Sequence, residues 1–223
     1  MRIEHLLLPA SDPAAAAAYF GQVLQLPVAG DQVQIGWSTL QLSDAAALPV
    51  GGVHLAFNVP HDRFSEAARW LDARAERQRD AEGREHFRFE GRWEAESVYF
   101  TGPDGLILEL IARRRLPASG RSGVFHGSEM TCISEVGIPA AAVDATQARL
   151  EAAFGVAALS PPTPHFAPLG DDEGLLIVVD ARRRWFPEQR SLPNAQGLQV
   201  RLGSVHAGAT VEDTALGWRV QSG

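Results

Sequence analysis

One cysteine, Cys132, occurs in 223 residues, so an intrachain disulfide and a cysteine-rich metal site are both excluded. No uninterrupted apolar run approaches the roughly 18 residues that a membrane-spanning helix needs. Excess positive charge is missing as well. The formal net charge of −7 argues against broad contact with nucleic acid or anionic lipid. The opening stretch, MRIEHLLLPASD, lacks the basic-then-apolar order of a secretory leader, because Glu4 and His5 interrupt its apolar residues. A cytoplasmic location is the resulting expectation. What remains is an ordinary globular composition, 45% hydrophobic and 21% charged, with enough chain for one large domain or two small ones.

The chain repeats itself. Residues 3–26, IEHLLLPASDPAAAAAYFGQVLQL, read as a short apolar strand, a cap at Ser11 or Asp12, Pro13 near the first helical position, and an alanine-rich helix. The alanines need no special role beyond helix propensity. VQIGW and TLQL, residues 33–42, alternate as a hairpin. The order recurs with the strand VHLAFNV at 53–59, the helix FSEAARWLDARAE at 64–76, and strands near 86–90, 97–101 and 106–112. A third pass runs from ISEVGIPAAAVDATQARLEAAFGV, residues 133–156, to HFAPLG and GLLIVVD. GLQVRLG and TALGWRVQ form a fragment of a fourth. A strand, a helix and three strands repeat at a period of about fifty to sixty residues. This predicts an α+β fold of βαβββ modules, with curved mixed sheets enclosing a cavity and helices outside. The Gly-, Pro-, Ser- and Arg-rich segment 113–127 reads as a linker. It divides the chain into a complete unit, 1–118, and a degenerate one, 128–223.

Strand alternation singles out three side chains. His5 in IEHLLLP, His54 in VHLAFNV and Glu109 in GLILELIA each interrupt one face of a strand whose other face is apolar. Two imidazoles and a carboxylate suit Fe(II), Mn(II), Ni(II) or Zn(II), with positions left open for substrate. Alone, each residue has a plainer reading as a surface or core polar group. Their places within a repeat distinguish them, and a buried carboxylate between isoleucines calls for a cation or a donor. Aligned on Pro9 and Pro139, His5 corresponds to Glu135. Aligned on the glycines of GPDGLILELIAR and DDEGLLIVVDAR, Glu109 corresponds to Val178. The expectation is therefore one metal site, in the first half.

IEHLLLPASDPAAAAAYF, GGVHLAFNVP and VYFTGPDGLILELIAR resemble the vicinal oxygen chelate superfamily, which includes glyoxalase I, fosfomycin-resistance enzymes, bleomycin-binding proteins and extradiol dioxygenases. The resemblance implies paired βαβββ units around one divalent metal ion (Fe2+, Mn2+, Ni2+ or Zn2+) and maps the ligands onto His5, His54 and Glu109. The extradiol pattern around the last ligand fits Tyr99, Pro103, Gly105 and Glu109, whereas Glu90 to Arg92 stand where its upstream histidine would be. Tyr99 is the candidate catalytic hydrogen-bond donor, and Asn58, sharing a strand face with His54, the candidate substrate contact. The implied function is a metal-dependent enzyme acting on a small oxygenated metabolite with dioxygenase-like, glyoxalase-like or other lyase chemistry. The alternative is a non-catalytic protein of the bleomycin-resistance type that binds and sequesters a drug or metabolite. A small-molecule substrate, no nucleic acid, no membrane and a possible homodimer complete the expectations, with dimer formation through the incomplete second half as a third reading of that half's role. Arg113–Arg115 and Arg182–Arg184 read as solvated strand ends. The Trp185-Phe186-Pro187 loop reads by default as core packing, with a cover over the barrel or a contact with a partner subunit as the alternatives, and Cys132 as a small core hydrophobe.

Overall fold

The computed structural model describes all 223 residues, Met1–Gly223. Module one comprises β1 (Arg2–Ala10), α1 (Pro13–Ala18, continuing as a π-turn over Tyr19–Val23), β2 (Val28–Ala29), β3 (Gln32–Ile35) and β4 (Ser38–Asp44). Module two comprises β5 (His54–Asn58), α2 (Phe64–Asp72), β6 (Phe87–Phe89), β7 (Ala95–Thr101) and β8 (Ile107–Arg113). Module three holds β9 (Cys132–Ala140), α3 (Val143–Phe154), β10 (Phe166–Asp171) and β11 (Gly174–Asp180). The C-terminal fragment has no helix, only β12 (Gln199–Gly203), β13 (Thr210–Asp213) and β14 (Trp218–Ser222).

Local chemistry sets the helix ends. The Asp12 carboxylate accepts the Ala15 N–H at 2.9 Å, with Pro13 at the first position of α1. α3 stops at Gly155, whose φ of 69° is a left-handed conformation that a side chain would disfavour. α2 is shorter than its periodicity predicts, ending at Asp72 once Phe64, Ala67, Ala68, Trp70 and Leu71 have been buried. No helix is long and apolar enough to cross a membrane.

The architecture is α+β, with two seven-stranded mixed sheets, one of them curled into a half-barrel. Their strand orders are β13-β14-β12-β1-β4-β3-β2 and β10-β11-β9-β5-β8-β7-β6. In each module the first strand runs parallel to the last, as β1 to β4, β5 to β8 and β9 to β11. Between modules the first strands pair antiparallel, β1 with β12 and β5 with β9. The inner modules thus share one sheet and the outer modules the other. Strand pairing does not follow the expected division at residue 118, because each sheet takes strands from both sides of it.

One core of 49 buried residues runs through both sheets and all three helices. A separate cluster that includes Tyr99, Ile107, Ile177 and Trp185 lies on the other face of the sheet formed by modules two and three. That face carries the polar residues described next.

Candidate metal centre

His54 opens β5, and its neighbours in the sheet are β8 on one side and β9 on the other. Two residues on, Ala56 is the register partner of Glu109 in β8 and of Glu135 in β9. Residues two apart on a strand share a face. A methyl group at position 56 therefore leaves space for two flanking carboxylates to reach the imidazole. His54 Nε2 lies 3.5 Å from Glu109 Oε2 and 3.6 Å from Glu135 Oε2. One donor atom from each of the three residues falls within 4.8 Å of the others. A bulge in the β5–β9 ladder, next to Ala56, lets β9 aim Glu135 at this face while Ile133 and Val136 stay in the core.

All three residues are buried. His54 Nδ1 lies 3.2 Å from the Ile107 carbonyl, which can only accept, so Nδ1 carries a proton and Nε2 is the ring nitrogen turned toward the carboxylates. Glu135 Oε1 takes a hydrogen bond from Arg113 Nη2, which leaves Oε2 for the centre. Arg113 is fully buried, its Nε 3.3 Å from Ser134 Oγ and its guanidinium 5.4 Å from the centre of the Trp93 ring. The solvated strand end expected there begins only at Arg114. Glu109 differs from Glu135. Neither of its oxygens has a hydrogen-bond partner, although the residue is only 1% exposed.

The electrostatics follow from these contacts. Burial, and then the charge of Glu135, push the Glu109 carboxyl from an ordinary 4.5 up to about 8, against the pull of His54. Burial opposes ionisation of Glu135, yet the nearby His54 imidazole and the Arg113 charge hold it below the usual range. Burial would lower the His54 pKa, but the neighbouring Glu135 and Glu109 carboxylates outweigh it and leave it raised. The Tyr99 hydroxyl is pushed well up by burial and by the Glu109 charge, and so remains a phenol.

The structure brings His54 and Glu109 together and adds Glu135. It does not bring in His5, which lies in the other sheet, paired with Thr39 and Arg201. There Arg201, across from His5, occupies the place that Ala56 holds beside Glu135. Burial and the Arg201 charge lower the His5 pKa, and no carboxylate joins it. The register also corrects the twin-strand comparison. His54 pairs with Ile107 as Glu135 pairs with Leu175, so the counterpart of Glu109 is Ile177, whereas Val178 points into the main core.

Tyr99 stands directly across the β7–β8 ladder from Glu109, with its ring 6.2 Å from that of His54. Asn58 does not line the cavity. Its amide donates to the Asp172 carbonyl at 2.9 Å and contacts Cys132 Sγ at 3.4 Å, tying β5 to the β10–β11 turn.

In front of the three donors lies a cavity of ≈ 290 Å³, walled by Phe89, Trp93, Tyr99, Phe166, Trp185 and Phe186. Trp185 donates to the Gly52 carbonyl at 2.8 Å and lies 5.1 Å from the His54 ring, so the 185–187 loop covers the centre. Gly137 makes this approach possible, since a Cβ there would sit 2.6 Å from the Trp185 ring. Sequence reasoning missed Glu135, and it ranked core packing above a cover over the barrel for the Trp185 loop. The Pro9/Pro139 alignment had already placed Glu135 opposite a candidate ligand, and an apolar loop after a strand-end arginine run was the signal for Trp185.

No family model and no curated protein matches the chain. Solved structures do. A "putative dioxygenase" from Bacillus subtilis superposes with a TM-score of 0.61 at 15% identity, over 91% of this chain and 70% of that one. Glyoxalase I from Zea mays gives 0.58 at 15% identity, over 98% and 90%. A point variant of the maize enzyme gives 0.57 at 14%, over 99% and 92%. The chain has the vicinal oxygen chelate fold, the architecture that its strand motifs resemble.

Proposed function

We propose that His54, Glu109 and Glu135 hold one divalent cation and that the chain is a metal-dependent enzyme acting on a small oxygenated molecule. The observation that carries this reading is the Glu109 carboxylate, buried, without a hydrogen-bond partner, and converging with a second carboxylate on one imidazole. An unpaired buried carboxylate costs several kcal/mol, on the order of 3–5 when a partner is removed, and a cation offsets that cost. One nitrogen and two carboxylate oxygens fit Fe(II), Mn(II), Ni(II) or Zn(II). When bound, such an ion supplies a Lewis acid that polarises adjacent substrate oxygens and stabilises developing negative charge.

The chain's own groups do the rest. The Ile107 carbonyl fixes the His54 tautomer, and Arg113 orients Glu135. Tyr99, kept protonated, presents a hydroxyl beside Glu109 that can donate to a substrate oxygen. Trp185 and Phe186 exclude water from the donors. The aromatic walls favour dioxygenase-like chemistry on an unsaturated substrate over glyoxalase-like chemistry. The same walls support a second reading, in which the cavity sequesters a planar compound without turnover.

Metal analysis of chain purified without chelators separates the outcomes. The reading expects about one equivalent in the wild type and in His5→Ala, and a large loss in Glu109→Ala and Glu135→Ala. Equal metal content in all four proteins would overturn it. A wild type without metal that still binds aromatic compounds would favour sequestration.

A further inference from the structure

Three arginines follow β11, and one of them is neutralised. Arg182 Nη2 lies 2.9 Å from Asp180. Arg183 and Arg184 have no carboxylate within ion-pair distance, and both line the cavity. The Arg183 guanidinium stands 5.6 Å over the ring of Phe166, itself part of the wall. Arg184 donates to the Arg190 carbonyl, a contact that positions its charge without cancelling it. In a chain of net charge −7, two unpaired cations at the mouth of one apolar cavity are a local reversal of sign.

The aromatic walls fall into two groups. Beside the donors, Trp185 lies 5.1 Å from His54 and Phe186 lies 5.4 Å from Tyr99. Apart from them, Trp93 lies 6.0 Å from Phe89 and 6.3 Å from Phe166. No ring of one group stacks on a ring of the other, and the cavity lies among them. An apolar cavity of about 150 Å³ takes one benzene. A volume of ≈ 290 Å³ therefore has room for a substituted ring or two fused rings. Ring faces recognise a flat π-system through offset or edge contacts.

We propose that the cavity takes a planar aromatic anion, its ring held among the two aromatic groups and its acidic group met by Arg183 and Arg184. This substrate class rests on the reading of the cavity as the active site. It leaves the opposite edge of the ring for oxygens directed at His54, Glu109 and Glu135. The arginines select charge, and the aromatic walls select flatness.

The test uses the full chain and four probes, 2-naphthoate, 2-naphthamide, benzoate and cyclohexanecarboxylate, with binding followed by calorimetry and tryptophan quenching. The expected result is that 2-naphthoate binds at least about tenfold more tightly than its amide, and benzoate than its saturated analogue. In the Arg183→Gln/Arg184→Gln double variant the carboxylate-over-amide preference should collapse to near unity while metal content stays that of the wild type. Equal affinity for carboxylate and amide in the wild type, or no binding of any probe, overturns the proposal. A preference that survives the double variant but disappears in Glu109→Ala also overturns it, because the anion is then read by the metal. Absence of metal from the wild type refutes the metal centre alone, since an arginine-dependent preference would persist without it.

Discussion

Replacing Glu109 by Gln removes one charge and keeps the side-chain shape, which makes it the sharpest probe of the centre. In the metal-free chain the carboxyl is pushed from 4.5 to about 8. At about 1.4 kcal/mol per tenfold change, holding it ionised costs roughly 5 kcal/mol, an upper estimate. The folded pKa is raised, so the cost is absent below 4.5, grows between 4.5 and about 8, and is complete above that. Metal-free wild type should therefore lose stability as pH rises through this window. The Gln variant should not, and above the window it should be the more stable protein. Metal acts against this difference. A hundredfold excess over Kd adds about 2.7 kcal/mol, or roughly 5–10 °C in Tm for a chain of this size, to the wild type alone. Thermal denaturation with and without Zn(II) or Mn(II), at the two ends of the window, reads both effects. A metal-free wild type whose stability is flat across the window, or a variant with an undiminished metal-induced rise, would refute the reasoning.

Further outcomes follow from the same geometry. Arg113→Met should lower metal affinity by about 10–100-fold, measured by competition with a chromophoric chelator, because Glu135 loses the group that orients it. Gly137→Ala should cost about 1–3 kcal/mol in urea denaturation and alter the near-UV signal of Trp185, whose ring meets the added methyl at 2.6 Å. Trp218→Ala should cost about 3–5 kcal/mol, since the ring is fully buried and its Nε1 donates to the Pro139 carbonyl at 2.8 Å. The fragment 1–118 should give no cooperative thermal transition, because β1 and β5 each lose an antiparallel partner when β12 and β9 are removed.

Alternation and turn chemistry made the modules legible. Pro13, the alanine run and the 64–71 apolar stripe marked helices, and Glu109 stood out because an acid between isoleucines breaks a buried pattern. Which modules share a sheet was not legible, since first-strand pairing is decided by tertiary packing rather than by any local signal. That one fact explains why His5 was included and Glu135 left out. Aligning the twin strands on their glycines slipped the pairing by one residue, and a one-residue slip moves every side chain to the opposite face. Val178 was compared with Glu109 when Ile177 should have been. β13 escaped notice because four residues, TVED, carry too little alternation to separate from a turn.

The strand orders also set a schedule for synthesis. The sheet with the candidate metal centre is drawn from one continuous stretch, β5 to β11, and is complete once residue 180 has left the ribosome. β1 is made before this sheet, yet its partner β12 begins only at Gln199, so one edge of β1 stays bare until then. A nascent chain should thus acquire the sheet of the candidate metal centre before β1 gains its second partner, and stalling between residues 186 and 199 would leave that sheet and its aromatic cover beside an unpaired, aggregation-prone edge.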